Sequence, residues 1–191
     1  MKSYNHGDND PYPLQHNLLG LQTYEELEEA EALVFSLRAA ELEKEGYSFS
    51  FTKDGFKNLH KHLFQDIYPF AGEFRTVQLM KGSTRFCQVQ FLEQYATELF
   101  GKLSEEPDWA SLEEAAERLA FFKSELNMLH PFREGNGRTI RIFIHAYARS
   151  KGVEWQYETI ERNAYMRAMV QSVTSTELLK ALFLETIHFY K

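Results

Sequence analysis

One cysteine, Cys87, cannot close an internal disulfide, so no covalent staple is available to this chain. Five prolines and ten glycines in 191 residues are too few for a flexible linker, and no Pro, Gly or Ser-rich stretch divides the sequence. A single domain spanning residues 1–191 is therefore expected, with 43% hydrophobic residues to build its core. No apolar run approaches the length of a membrane span, which argues against a membrane helix. The opening Met-Lys-Ser-Tyr-Asn-His-Gly-Asp lacks the apolar stretch of a signal peptide, and a cytoplasmic protein is expected. A protein delivered into another cell by a dedicated machine would look the same. Positive charge is also in deficit, since 21 Lys and Arg against 28 Asp and Glu leave a net charge of −7. That balance argues against direct binding of nucleic acid or of an anionic membrane.

What is present is mostly helical periodicity. The first 22 residues, with Asp10-Pro11-Tyr12-Pro13, read as an extended arm packed by Tyr12, Leu18 and Leu19. Thr23 with Glu26 forms a capping-box pattern for a helix from about Tyr24 to Lys44. Its inward stripe is expected to be Leu27, Ala30, Leu33, Val34, Leu37 and Leu42, and its glutamates are expected to face solvent. Thr52 or Asp54 starts a second helix that ends before Tyr68-Pro69. Further helices are predicted at roughly 92–103, 111–129, 137–151, 159–173 and 176–190, giving an all-α bundle of about six to eight helices. Only residues 73–91 alternate as strands do, around the turn-like Lys81-Gly82-Ser83-Thr84. A lone hairpin is marginal in water, so this one is expected to lie as a flap on the helical body.

Residues 130–141, His-Pro-Phe-Arg-Glu-Gly-Asn-Gly-Arg-Thr-Ile-Arg, combine a base, a carboxylate, a glycine-rich turn and two arginines. Gly135 and Gly137 can take backbone angles that residues with a Cβ avoid, so amides around Asn136 can converge on an anion. Good helix formers follow to Lys151, so the turn should open a helix whose N-terminal dipole also favours negative charge. Arg138 and Arg141, three apart on one face, can both reach the same polyphosphate. Taken alone, His130 could simply cap a helix C-terminus. The whole combination instead suits transfer of a phosphate-linked group, which needs a base and stabilisation of anionic charge. Phe132 reads as a core anchor.

This stretch matches at every fixed position the signature His-x-Phe-x-(Asp/Glu)-Gly-Asn-Gly-Arg-x-x-Arg, and the sequence thereby resembles the Fic (Fic/Doc) family. Leu63 to Arg75 and the flap Lys81 to Phe86 also look like the family's entry to its target-docking hairpin, and the Asp10-Pro11-Tyr12 arm and overall size resemble its short bacterial toxins. The resemblance implies a Fic-type helical bundle with a β-hairpin flap, transferring AMP from ATP to a Ser, Thr or Tyr hydroxyl of a target protein. It implies His130 as general base and Glu134 as holder of Mg²⁺. Gly135, Asn136 and Gly137 would form the anion hole, and Arg138 and Arg141 would clamp the β and γ phosphates. Lys81, Gly82, Ser83, Thr84, Arg85 and Phe86 would dock the target, and Lys81 and Gly82 would also reach the nucleotide. Relatives that act as protein kinases carry a lysine at the position of Gly137; the glycine here favours adenylyl transfer. Asn163, Tyr165, Met166 and Met169 either line the adenosine pocket or belong to the core.

Many family members carry an inhibitory (Ser/Thr)-x-x-x-Glu-(Gly/Asn) helix. Here only Ser150 and Glu154 have the spacing, and Trp155 follows, so the match reads as chance. The resemblance then implies inhibition by a small antitoxin protein carrying that motif, or by a helix encoded beyond Lys191. The short toxins point to DNA gyrase and topoisomerase IV as targets. Alternatives are another nucleotide donor, a host-cell target such as a small GTPase, or a catalytically idle nucleotide-binding module.

Overall fold

The computed structural model describes residues 5–6, 10–82 and 84–190. Among these are eight α-helices, with α5, Leu112–Leu129, and α6, Asn136–Ser150, at the centre. The others are α1 (Tyr12–Gln15), α2 (Tyr24–Lys44), α3 (Lys53–Phe64), α4 (Leu92–Ser104), α7 (Arg162–Gln171) and α8 (Glu177–Thr186). Helix α5 packs on α4, α6 and α8, while α3 lies against α2 and α6. The predicted bundle is therefore the observed architecture.

Local chemistry explains the helix boundaries. Thr23 caps α2 through Glu26 N–H at 3.2 Å, and the Glu26 carboxylate returns to Thr23 N–H at the same distance, completing the capping box. Thr52 caps α3 through Gly55 N–H, and Ser111 caps α5 through Glu114 N–H. Helix α3 buries Phe56, Leu59, His60, Leu63 and Phe64, an i, i+3, i+4, i+7, i+8 stripe. At the other end of α5, His130 takes left-handed angles (φ 41°, ψ 58°) ahead of Pro131, so the helix stops and the chain turns into the motif loop.

Several expectations are corrected. The segment after Asp10 is not extended: Tyr12–Gln15 form a short helix, and Leu18 and Leu19 are exposed. On α2 the buried line is Leu27, Glu31, Phe35 and Leu42, whereas Leu33 and Leu37 face outward. Phe35 reaches the α3 ring of Phe64, and this contact sets the rotation of the helix. The flap strands are shorter than residues 73–91: β2 is Leu79–Lys81 and β3 is Thr84–Arg85, while Val89–Phe91 form a 3-10 turn. Parallel pairing with β1, Asn5–His6, adds a third strand, so β2 lies in the middle and β3 at an edge. A second ladder, β4 (Val153–Trp155) with β5 (Ile187–Phe189), ends the predicted last helix early, at Thr186. Ser83 lies outside the described residues.

Phe56 is completely buried and meets the rings of Phe100, Phe132 and Phe143 at 5.5, 5.3 and 5.0 Å. It thus joins α3, α4 and α6 to the motif loop. Phe56→Ala is expected to lower unfolding free energy by about 3–5 kcal/mol in urea titrations, the range for truncating a buried aromatic.

Candidate active site

The motif loop is locked by one side chain. Phe132 N–H donates to Asn136 Oδ1 at 2.8 Å, and Asn136 Nδ2 donates to Phe132 O at 2.7 Å. The Asn136 amide thus holds the loop closed with one of its two N–H groups, and the backbone of the turn stands beside it to meet an anion. Gly135 precedes α6 with φ 76°, and a Cβ there would lie 2.6 Å from the Phe64 ring, so glycine is required on both counts. Gly137 differs: it has ordinary helical angles and open space around it. Its lack of a side chain leaves the first turn of α6 open to the cavity it lines. Among the described residues no side chain caps that turn, so its N–H groups stay available for a ligand.

His130 donates from Nδ1 to Asn127 O at 3.2 Å, which leaves Nε2 as the acceptor. The Phe86 ring of the flap stacks on the imidazole at 3.7 Å and 8°. Burial pushes the His130 pKa down to about 3; the Asn127 bond opposes this, and the charges of Arg75 and Lys81 add to it. The ring is only partly covered from solvent, so its neighbours set much of this environment.

Arg75 is 4% exposed and ends on carbonyls alone. Nε donates to His130 O at 2.8 Å, Nη1 to Val77 O at 2.6 Å and Nη2 to Cys87 O at 2.6 Å. Backbone bonds from Arg75 N–H to Pro131 O and from Cys87 N–H to Met128 O tie the same segments together. Burial draws the Arg75 pKa down to about 10.

His60 supports the loop from below. Gly72 N–H donates to Nδ1, so Nε2 carries the proton and donates to Glu134 O, both at 2.9 Å, while the ring stacks on Phe132 at 3.7 Å. The Glu134 carboxylate accepts from Gly135 N–H at 2.8 Å. Its pKa is raised by burial first and by the nearby Glu31 carboxylate second, against the pull of Gly135 N–H, Arg138 and Lys81. Glu31 accepts from Tyr68 OH at 2.8 Å and pairs with Arg138 Nη2 at 2.5 Å, leaving Arg138 3.9 Å from Glu134. Arg138 also sits over the rings of Phe35 and Phe64. Arg141 buries its Nε with no acceptor among the described residues, beside the Tyr157 ring. Arg133 makes a two-pronged pair with the 7% exposed Asp10 at 2.9 and 3.1 Å.

One cavity of about 810 Å³ joins these parts. It is lined by His130, Glu134, Asn136 and Gly137 from the motif, by Lys81, Gly82, Thr84 and Phe86 from the flap, and by Tyr165, Met166 and Met169 from α7. Gly135, Arg138, Arg141, Arg85 and Asn163 are not among its lining residues. Phe132 is fully buried, as expected of an anchor. The sequence reading missed Glu31, counted with the solvated glutamates, and also Asp10, Arg75 and His60. Glu31 had one usable signal, its place between Leu27 and Phe35 at four-residue spacing.

Residues 50–148 match the family model described as the Fic/DOC family. The chain belongs to the Fic/DOC family. Over 190 residues, 95% of the chain, this Fic protein is 36% identical to the protein adenylyltransferase VbhT of Bartonella schoenbuchensis, of which it spans 40%. It is 35% identical to the "Probable protein adenylyltransferase y4lH" of Sinorhizobium fredii, over 84% of this chain and 85% of that one. Its fold matches the crystal structure of the BepC protein of Bartonella tribocorum, determined with bound AMPPNP, at a TM-score of 0.83 and 21% identity, covering 92% of both chains.

Buried His60 and partly covered His130, both held neutral, make this Fic fold sensitive to acid. Unfolded histidines take up a proton near pH 6.5, whereas folded His60 resists until about pH 4 and folded His130 until about pH 3. Their neutral burial costs nothing above pH 6.5, and stability falls as the pH drops through that window. For His60 the loss is on the order of 3 kcal/mol. His60→Gln keeps a donor for Glu134 O and should show a shallower loss in urea titrations between pH 7 and 4; an unchanged slope would clear His60 of this role.

Proposed function

We propose that this protein is a protein adenylyltransferase, moving AMP from ATP to a hydroxyl side chain of a target protein. The observation that carries the reading is the state of His130: Nδ1–H is committed to Asn127 O, and Nε2 is an acceptor in a cavity shared by the flap and the open N-terminus of α6. In the reaction, Nε2 takes the proton of a Ser, Thr or Tyr hydroxyl as its oxygen attacks the α-phosphorus. The bond to the β-phosphate breaks, and pyrophosphate leaves with the electron pair. An imidazole held far below neutral is a weak base, but polyphosphate brought beside it adds negative charge that draws its pKa back up. The N–H groups of the first turn of α6, around Gly135, Asn136 and Gly137, face the charge that develops on the phosphates. Arg138 and Arg141 hold the β and γ phosphates in this reading, which requires Arg138 to exchange Glu31 for phosphate oxygens.

Mg²⁺ suits the donor set. Glu134 lines the cavity with Asp10, Glu28 and Glu31, of which Asp10 and Glu31 are paired with Arg133 and Arg138, and Mg²⁺ commonly takes one or two carboxylates together with substrate phosphates and water. Bound there, it would neutralise charge on the phosphates. Among the described residues no cluster of three or more His, Cys, Asp or Glu side chains competes for the ion.

The flap supports recognition through main chain. Strand β3 lies at the edge of its small sheet, where an extended target segment can add as a further strand, with Thr84 and Arg85 of the flap Lys81 to Phe86 as the docking edge. Gyrase or topoisomerase IV as target, and the role of toxin in a toxin–antitoxin pair, rest on resemblance to the short toxins. No helix among the described residues is long and apolar enough to cross a membrane.

The test is transfer of label from ATP carrying a labelled α-phosphate into protein of a bacterial lysate, with Mg²⁺ present. His130→Ala is expected to reduce incorporation by about 10²–10⁴-fold, the usual worth of a general base. Full labelling by that variant, or none by the unaltered protein, would end this reading. Competition by unlabelled UTP separates adenylyl from uridylyl transfer, and mass spectrometry of the labelled band identifies the target.

A further inference from the structure

We propose that Arg75 is a positioning residue for the transfer: it joins the flap and the loop carrying His130 into one rigid piece, and so sets where a target hydroxyl meets Nε2. The inference rests on the reading of His130 as base and of the flap as docking edge.

Its grounds are where the donors of Arg75 end. Nη1 and Nη2 reach Val77 O and Cys87 O, one on each side of the flap tip, while Nε reaches the carbonyl of His130 itself. The backbone hydrogen bonds from Arg75 N–H to Pro131 O at 2.7 Å and from Cys87 N–H to Met128 O at 2.8 Å repeat the connection on both flanks. Phe86, next to Cys87, then lies flat on the imidazole. Only a planar fork with donors pointing three ways can span two flap segments and a third loop at once; an ammonium on a flexible stem cannot hold that geometry. The guanidinium is nearly inaccessible to solvent and each of its nitrogens donates to a backbone carbonyl, so its role is to hold these segments and not to meet the nucleotide. A shift of the flap relative to His130 of about 1 Å is enough to lower the rate about 100-fold.

R75K in the full chain is the test. Its affinity for ATP, by calorimetry, is expected to stay within about twofold of the unaltered protein, while AMP incorporation into lysate protein falls about 100-fold. The ¹⁵N resonances of the His130 ring are expected to move, because the carbonyl of that residue loses its fixed donor. Unaltered ring resonances, unaltered labelling, or an ATP affinity that falls in step with labelling each overturn the proposal. The ring resonances need no turnover: if the unaltered protein labels nothing, adenylyl transfer fails as the reading, and the resonances still decide whether Arg75 holds His130. Should R75K unfold at the assay temperature, amide hydrogen exchange in the unaltered protein decides. The N–H groups of Arg75, Cys87 and His130 are expected to open together, with protection factors within about threefold of one another. Exchange at Arg75 and Cys87 far ahead of His130 overturns the proposal.

Discussion

A guanidinium shut away from water with no carboxylate beside it is costly unless every donor direction is used. Arg75 meets that requirement with the carbonyls of Val77, Cys87 and His130, and the need to satisfy it dictates how the flap sits. The flap strands are only three and two residues long, too short to be stable alone. What holds them in place is the bonding to residues 128–131 and the Phe86 stack on His130. The geometry around the imidazole therefore depends on a residue that does not line the cavity.

Around the other end of the motif, charge is arranged in two separate pairs. Arg133 pairs with Asp10 and lies over the Tyr12 ring, which fastens the N-terminal segment to the wall of the same cavity. Arg138 is drawn to Glu31 on α2, itself fixed by Tyr68, and keeps a longer distance to Glu134. Glu134 is left with a backbone N–H as its short partner, and burial favours its neutral form until a cation or another donor arrives. His60 and Asn136 serve the loop rather than a ligand: one donates to its carbonyl at Glu134, the other closes it at Phe132.

Much of this Fic fold was legible because it rests on local chemistry. Thr23, Thr52 and Ser111 mark helix starts through hydrogen bonds to residues three ahead. Pro131 marks the end of α5, and the twelve motif residues carry their own order. The rotation of α2 was not legible, since exposed Leu33 and Leu37 are as apolar as Leu27 and Leu42, and a charged residue, Glu31, lies in the buried line. A helix with apolar residues on more than one side turns toward the face its neighbours can fill, here with Phe35 against Phe64. The β4–β5 ladder was missed for a similar reason: its strands are three residues each and lie far apart in the chain.

The sequence by itself determined the helical bundle, the order of its elements, and the identity of the residues from His130 to Arg141, because caps, breakers and a contiguous motif act over a few residues. Only the tertiary structure decided the tautomer of His130, the commitment of Asn136 to the loop, the pairing of Arg138 with Glu31, and the anchoring of the flap by Arg75. Each of these depends on a polar group finding its partner, and in two of the four, Arg138 with Glu31 and Arg75 with the motif loop, the partner comes from a segment far away in the chain.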